Sequence, residues 1–365
     1  MNIWKKYAKI LVEYSTDVKK GDLVIISSDT QAQPLILAVY EEVLKKGAYP
    51  ELKLGLEGQK EIFFRTASDE QLEYISPILE LEYDKADKFI AIGAPYNTKN
   101  LAKIQPERLA KRSAATKRLS SKMLQRASEG TLSWVICDYP TNALAQEAKM
   151  SIFDYEEFLI NACYLHLDDP VAKWREIGEK QQKLADQLNH TNKLRIVGQK
   201  TDLTISTEGR KWINCCGSNN FPDGEVFTSP VEDSAEGDIY FDFPAIYKGN
   251  EAQGIYLKFE KGKVVHAEAE KGEEFLLKMI DMDEGARFLG EVAFGTNEMI
   301  QEVTGNILFD EKIGGSIHLA LGASYPETGG KNKSGLHWDI IKNMKHDSKI
   351  YADDKLIYEN GKFLI

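Results

Sequence analysis

Residues 22–56 read DLVIISSDTQAQPLILAVYEEVLKKGAYPELKLGL, and three successive textures within them decide the fold. Asp22 to Ser27 (DLVIIS) is a short, largely β-branched run, which predicts a buried strand. The turn-rich SSDTQAQ follows. Pro34 then opens a predicted helix, PLILAVYEEVLKKG, with proline near its start and Gly47 just past its end. Lys45 and Lys46 fall in its last turn, where they complement the helix dipole. ELKLGL (51–56) is the next strand. A strand, a helix and a strand in close succession predict a parallel pair joined by a crossover.

The same alternation continues outward. KFIAIGAP (88–95) and TLSWVICDYP (131–140) are further strands separated by helical stretches. The segment from Lys103 to Arg126 holds eight basic residues and one acid, Glu107, and reads as the solvated face of a helix rather than an anion-binding patch. A second helical stretch, about 155–188, is interrupted at Asp168-Asp169-Pro170, where Asp169 reads as an N-cap and Pro170 as the first helical position. After His190 the texture changes. Short strands bounded by Gly, Asn and Asp take over: LRIVG, LTIST, GDIYFDFPAIY and QGIYLKFEKGKVVHAEAE, the last with a hairpin at Glu260-Lys261-Gly262-Lys263. One helix, GEEFLLKMID, interrupts them. The expectation is an α/β N-terminal domain with a mainly parallel sheet over residues 1–190, and a β-rich α+β domain over 191–365.

The totals agree with two soluble domains: 365 residues, 42% hydrophobic and 28% charged. Acidic residues outnumber basic ones, 57 to 46, giving a net charge of -11. A phosphate-binding surface needs the opposite sign, so nucleic acid is not expected as a partner. Charges interrupt the N-terminus throughout, and no stretch approaches the roughly 20 apolar residues of a membrane span, so neither a signal peptide nor a membrane partner is expected. Cys137, Cys163, Cys215 and Cys216 make no disulfide framework in a chain this long and read as reduced thiols in a cytoplasmic protein.

Familiar phosphate and nucleophile signatures are absent. No G-x-G-x-x-G follows a strand, Gly329-Gly330-Lys331 lacks the upstream glycine of a P-loop, and no G-x-S-x-G occurs. What remains is a set of carboxylates and histidines in apolar surroundings. His337 and Asp339 lie two apart in SGLHWDII, so on a strand they share a face while Trp338 points away. His318 sits in SIHLALGA, Glu291 in FLGEVAFG and Glu225 in NFPDGEVFTSP. A carboxylate in a buried strand is costly unless paired or bound to a metal, and three carboxylates with two imidazoles suit a metal site of mixed oxygen and nitrogen donors. Singly, each has a structural reading: Glu225 and Glu291 at a strand edge, His318 in the core, His337 and Asp339 as a hydrogen-bonded pair.

In these segments the chain resembles the thermophilic-type metallo-aminopeptidases, the family of aminopeptidases T and S. NFPDGEVFTSP, LGEVAF, IHLALGASYP and NKSGLHWD carry the resemblance in that order, with GDLVII, the helix after Pro34 and YPTNALAQEAKMS extending it over nearly the whole chain. The resemblance implies metal ligands at Glu225, Glu291, His318, His337 and Asp339, holding two divalent ions (Zn, Co, Mn or Mg) with Glu225 as their bridge. It implies an active-site tyrosine at Tyr325 and an acidic residue ahead of the first histidine, for which Glu311 is the match. FDEKIGGSIH runs two residues longer than the family's usual form, and Asp310-Glu311-Lys312 also reads as a charged surface turn. The implied function is release of N-terminal residues from peptides with a free N-terminus, by a homodimer. Another dinuclear metal-dependent amidase or esterase, or a non-catalytic metal-binding assembly protein, would use the same donors.

Overall fold

The computed structural model of the chain describes residues 2–247 and 249–365. It divides into two compact units: the chain up to Lys173 with Gly217–Pro222, and Trp174–Cys216 with Asp223–Ile365. The division falls earlier than residue 190 because the helix Pro170–Leu188 packs its later turns, through Ala185 and Leu188, into the core of the second unit.

In the first unit, α1 (Ile3–Lys9) precedes β1 (Leu23–Asp29), α2 (Gln33–Lys45) and β2 (Tyr49–Gly55). Three short helices follow, α3 (Gln59–Thr66), α4 (Asp69–Glu73) and α5 (Pro77–Lys85), then β3 (Lys88–Gly93), α6 (Pro106–Ser128) and β4 (Ser133–Asp138). The four strands pair in parallel in the order β2-β1-β3-β4, as the strand–helix alternation requires. Ile26, Ile90 and Val135 lie in register on one face and are buried, as a covered parallel sheet demands. Asn220–Phe221 returns from later in the chain to pair with β4.

The basic helix α6 is more than a solvated face. Arg108 donates to the carbonyls of Phe64 and Ala67, Arg112 to those of Leu72 and Tyr74, and Arg126 to those of Tyr83 and Ala86. Three guanidinium groups thus satisfy the carbonyls that end α3, α4 and α5. Those helices bury little of their own, with only Leu72 enclosed among them, so α6 holds the layer by hydrogen bonding as much as by packing.

The second unit is built on strands. One sheet runs in the order Ala245–Tyr247, Asn250–Glu260, Glu236–Phe241, Thr201–Ser206, Lys193–Gly198, Lys349–Ala352, Lys355–Glu359 and Lys362–Phe363, with Lys263–Lys271 hairpinned onto Asn250–Glu260. The other contains β5 (Ile213–Cys215), β6 (Glu225–Thr228), β7 (Leu289–Gly295), β8 (Ser316–Gly322) and β9 (His337–Asn343), antiparallel throughout in the order β9-β8-β7-β6-β5. Among the described residues no helix is long and apolar enough to cross a membrane.

Register in this second sheet decides where side chains go. Glu225 pairs with Gly295, His318 with Ala293, Ala320 with both Glu291 and Asp339, and His337 with Gly322. Directly opposed residues share a face, so Glu225, Glu291, His318, His337 and Asp339 all project from one side. The residues between them on that side are Ala293, Gly295, Ala320 and Gly322, which leave room above the sheet. The alternate residues Val226, Val292, Phe294, Ile317, Leu319, Leu321, Trp338 and Ile340 project the other way into one buried cluster. Gly322 closes β8 with φ +102°, and a Cβ there would meet the Leu336 carbonyl oxygen at 2.2 Å, so only glycine lets β9 approach at His337.

Trp338 anchors this sheet from behind, with ring centroids 5.4 Å from Phe275 and 6.1 Å from Tyr247. Trp338→Ala is expected to cost about 3–5 kcal/mol through the cavity it leaves, read as a lowered urea midpoint, with Trp338→Phe recovering part of the loss. An unchanged midpoint for the alanine variant would mean that the apolar face does not secure β9.

Candidate metal centre

Among the described residues, three groups of ionisable side chains bring ligand atoms within 4.8 Å of one another. They are Glu225, Glu291 and His318; Glu291, His337 and Asp339; and Glu311, His318 and Asp339. The five residues expected as ligands therefore come together with Glu311, although they lie on four strands. The crevice of about 770 Å3 at the carboxyl ends of β1, β2 and β3, lined by Asp29, Gly55 and Phe63 among others, contains none of them.

Glu291 is the hub. Its Oε1 lies 3.5 Å from His318 Nε2, and its Oε2 lies 3.2 Å from His337 Nε2. The two oxygens of one carboxylate thus face two different histidines, whereas Glu225 enters a single group. His337 is oriented from behind: its Nδ1 sits 2.8 Å from the Ala323 carbonyl oxygen, which can only accept, so Nδ1 carries the hydrogen and Nε2 faces Glu291 and Asp339 Oδ1. The Tyr325 hydroxyl is 3.3 Å from the same Nε2, and its ring stands edge-on to His337 and Phe227.

The site fits a metal by the atoms it leaves unsatisfied. Both ring nitrogens of His318 are buried without a hydrogen bond, since the 3.5 Å approach to Glu291 lacks the required geometry, and Asp339 Oδ1 is likewise without one. Buried polar atoms left unpaired in a native protein call for an explanation, and a divalent ion accepting imidazole and carboxylate donors supplies it. Electrostatics agree. Burial pulls the pKa of His318 down, but Glu291, Glu225 and Asp339 reverse this and raise it to about 9. His337 is carried to about 11 in the same way by Asp339 and Glu291. Burial raises Glu225 to about 8 despite Lys312. Glu291 and Asp339 go below their ordinary range, because the imidazoles outweigh their burial. The histidines hold protons where a cation would otherwise stand.

The segment 310–312 is not a surface turn. Asp310 is buried and accepts from the Thr304 amide at 2.7 Å, its hydroxyl at 2.8 Å and the Gly305 amide at 2.9 Å, which shapes the loop. Glu311 then turns inward, 15% exposed, with burial raising its pKa. Lys312 is 2% exposed and its ammonium contacts the carboxylates of Glu225 and Glu311, with Asp223 Oδ1 at 3.7 Å. Lys312 and Asp223 were not among the expected site residues. A lysine beside two acids reads as solvated from sequence, and only the fold reveals that it is enclosed.

The thermophilic metalloprotease (M29) family matches residues 2–363 of the chain. The chain is similar to aminopeptidase 2 of Geobacillus stearothermophilus, 26% identical over 97% of this chain and 92% of that protein. It is similar to aminopeptidase AmpS of Bacillus subtilis, 27% identical over 98% and 97%. Among solved structures it superposes on AmpT from Thermus thermophilus with a TM-score of 0.87, covering 100% of this chain and 99% of that one at 24% identity. A 2,5-dihydroxypyridine dioxygenase from Pseudomonas putida shares the fold at a TM-score of 0.63 and 17% identity, over 99% and 96%.

A raised histidine pKa has a defined sign. The ion-pair stabilisation of the metal-free chain is complete below the ordinary histidine value and is lost as pH rises through about 9 and then about 11. Metal ligation needs the neutral ring, so near neutral pH ion binding should expel protons from His318 and His337, and apparent affinity should climb as pH approaches 9. Calorimetric titration of the chelator-stripped protein in buffers of different ionisation heat counts those protons. Binding with no proton release would show that the rings were already neutral.

Proposed function

The chain belongs to the thermophilic metalloprotease family, and from that premise we propose that it is an aminopeptidase that holds two divalent ions on Glu225, Glu291, His318, His337 and Asp339. The observation that carries this reading is the division of labour at Glu291. Its two oxygens face the histidines of two three-residue sets that share this one carboxylate, which supports Glu291, rather than the Glu225 expected from the resemblance, as the residue that would bridge two ions. Zinc, cobalt, manganese and magnesium all accept such mixed donors. Bound here, the ions supply Lewis-acid polarisation of a carbonyl and bring the pKa of a water near neutral.

The remaining chemistry belongs to the chain. Glu311 stands beside His318 and Asp339, outside the shared-carboxylate pair of sets, and is the proton shuttle. It takes a proton from the attacking water and returns it to the departing amine. Burial and the surrounding carboxylates hold the Tyr325 hydroxyl far above its ordinary pKa, so it stays protonated and donates to the developing oxyanion. A free N-terminal amine offers this centre a nitrogen lone pair that an acetylated peptide lacks, which confines cleavage to the first residue. We read the chain as a cytoplasmic homodimer: its four cysteines are free thiols, and the family resemblance supports the dimer.

A chelator should abolish hydrolysis of unblocked peptides, and added cobalt, zinc or manganese should restore it. Efficient cleavage of an N-acetylated peptide at an internal bond would sink the aminopeptidase assignment in favour of another amidase. Glu311→Gln should leave metal content unchanged and lower turnover roughly 100- to 10,000-fold, the usual contribution of a positioned base. Loss of metal in that variant would place Glu311 among the ligands instead.

A further inference from the structure

Lys312 introduces a second kind of cation into a site built for metal. An ammonium taken out of water keeps its charge only if carboxylates replace the solvent. Here they do: Glu225 and Glu311 touch it and Asp223 lies 3.7 Å away. The formal charges are informative. Asp223, Glu225, Glu291, Glu311 and Asp339 provide five negative charges and Lys312 one positive. The four that remain are what two divalent ions neutralise. Lys312 therefore belongs to the charge balance of the loaded centre, and it stands nearer one half than the other. Its partner Glu225 is a donor only of the set with Glu291 and His318, while the set of Glu291, His337 and Asp339 contains no residue that Lys312 touches.

We propose that Lys312 makes the two metal positions unequal: the position at Glu291, His337 and Asp339 binds its ion tightly, and the position at Glu225, Glu291 and His318 binds a labile ion because the ammonium competes for Glu225. This rests on the two-ion reading above. In the stripped protein Lys312 acts as a built-in counter-cation that keeps the crowded carboxylates together. As the second ion enters, Glu225 is shared between ammonium and metal, and the repulsion between the two cations lowers affinity there. The enzyme then rests with one ion, and its activity follows the free concentration of divalent metal.

The test is equilibrium dialysis and calorimetric titration of the chelator-stripped full chain with cobalt, with no turnover assay involved. Wild type should bind two ions in steps separated at least tenfold in dissociation constant. Lys312→Met removes the charge and keeps the length. It should tighten the second step by roughly 1,000-fold, the effect of a unit charge on a divalent ion about 8 Å away at an effective dielectric near 20, and the first step by clearly less, because that position lies further from the ammonium. The stripped variant should also melt at lower temperature than stripped wild type. Lys312→Arg, which keeps the charge, should preserve the separation. Two equal sites in wild type would overturn the proposal whether or not the methionine variant folds, as would a second step that Lys312→Met weakens or leaves alone. A wild-type chain that binds no cobalt at all would overturn the two-ion reading along with it, so the two failures are distinguishable.

Discussion

The pleat of one antiparallel sheet is the constraint on which the rest of the centre depends. In β6 to β9 the side chains alternate between a buried apolar cluster and a basin of carboxylates and imidazoles. The two faces need each other. Desolvated charges repel and gain little from packing, so they stay in place only because Val226, Phe294, Leu319, Trp338 and their neighbours fix the backbone from the opposite side. A slip of one residue in any strand would put an acid into the core and a leucine into the basin. Register is thus specified by the cost of the wrong arrangement as much as by the benefit of the right one. The alanines and glycines between these acids and histidines complete the arrangement, since larger groups would fill the space above the sheet.

The second requirement is electrical. Four carboxylates of the basin and the neighbouring Asp223 cannot remain charged together in a low dielectric without compensation. The neighbours push towards compensation: the surrounding acids raise the pKa of His318 and His337, burial raises that of Glu225, and the Lys312 ammonium faces Glu225, Glu311 and Asp223. Each can yield to a metal ion except Lys312, which has no lower-cost state to move to while Glu311 and Asp223 still face it. Protons can leave where a cation replaces them, whereas a lysine ammonium enclosed by three carboxylates keeps its place. That asymmetry separates a group that anticipates the metal from one that opposes it.

Much of this was legible in the sequence because period and spacing report on backbone geometry. H-x-D at His337 and Asp339 could share a face only as a strand, and they do. DLVIIS and the helix after Pro34 appear where the βαβ reading put them. What eluded the sequence concerns tertiary placement. The arginines of α6 look like surface charge until the carbonyl ends of three short helices are brought against them. Asp310, Glu311 and Lys312 look like a polar turn, because nothing local records that Thr304 and Gly305 fold over Asp310 and turn the next two side chains inward. The central position of Glu291 is of the same kind: Glu225 and Glu291 are each an acid in an apolar strand, and only the strand order and register bring the Glu291 carboxylate against two histidines.

A carboxylate that holds metal and a carboxylate that moves protons must differ in what they are committed to, and the basin separates them by position. Glu291 has one oxygen facing His318 on the neighbouring strand and the other facing His337 one strand further on, and the side chain is 3% exposed. Glu311 sits on a loop rather than in the sheet, is somewhat more exposed than Glu225 or Glu291, and has one oxygen against Lys312. The ammonium engages one oxygen of the side chain, and the Glu311 carboxylate also lies within 4.8 Å of the ligand atoms of His318 and Asp339. Burial favours the protonated carboxyl and Lys312 favours the carboxylate. A group balanced between those two pulls suits the proton-shuttle role proposed for it better than a carboxylate held by two histidines does. The loop that hides this residue from sequence reading is what sets it apart from the four strands that carry the other acids and the histidines.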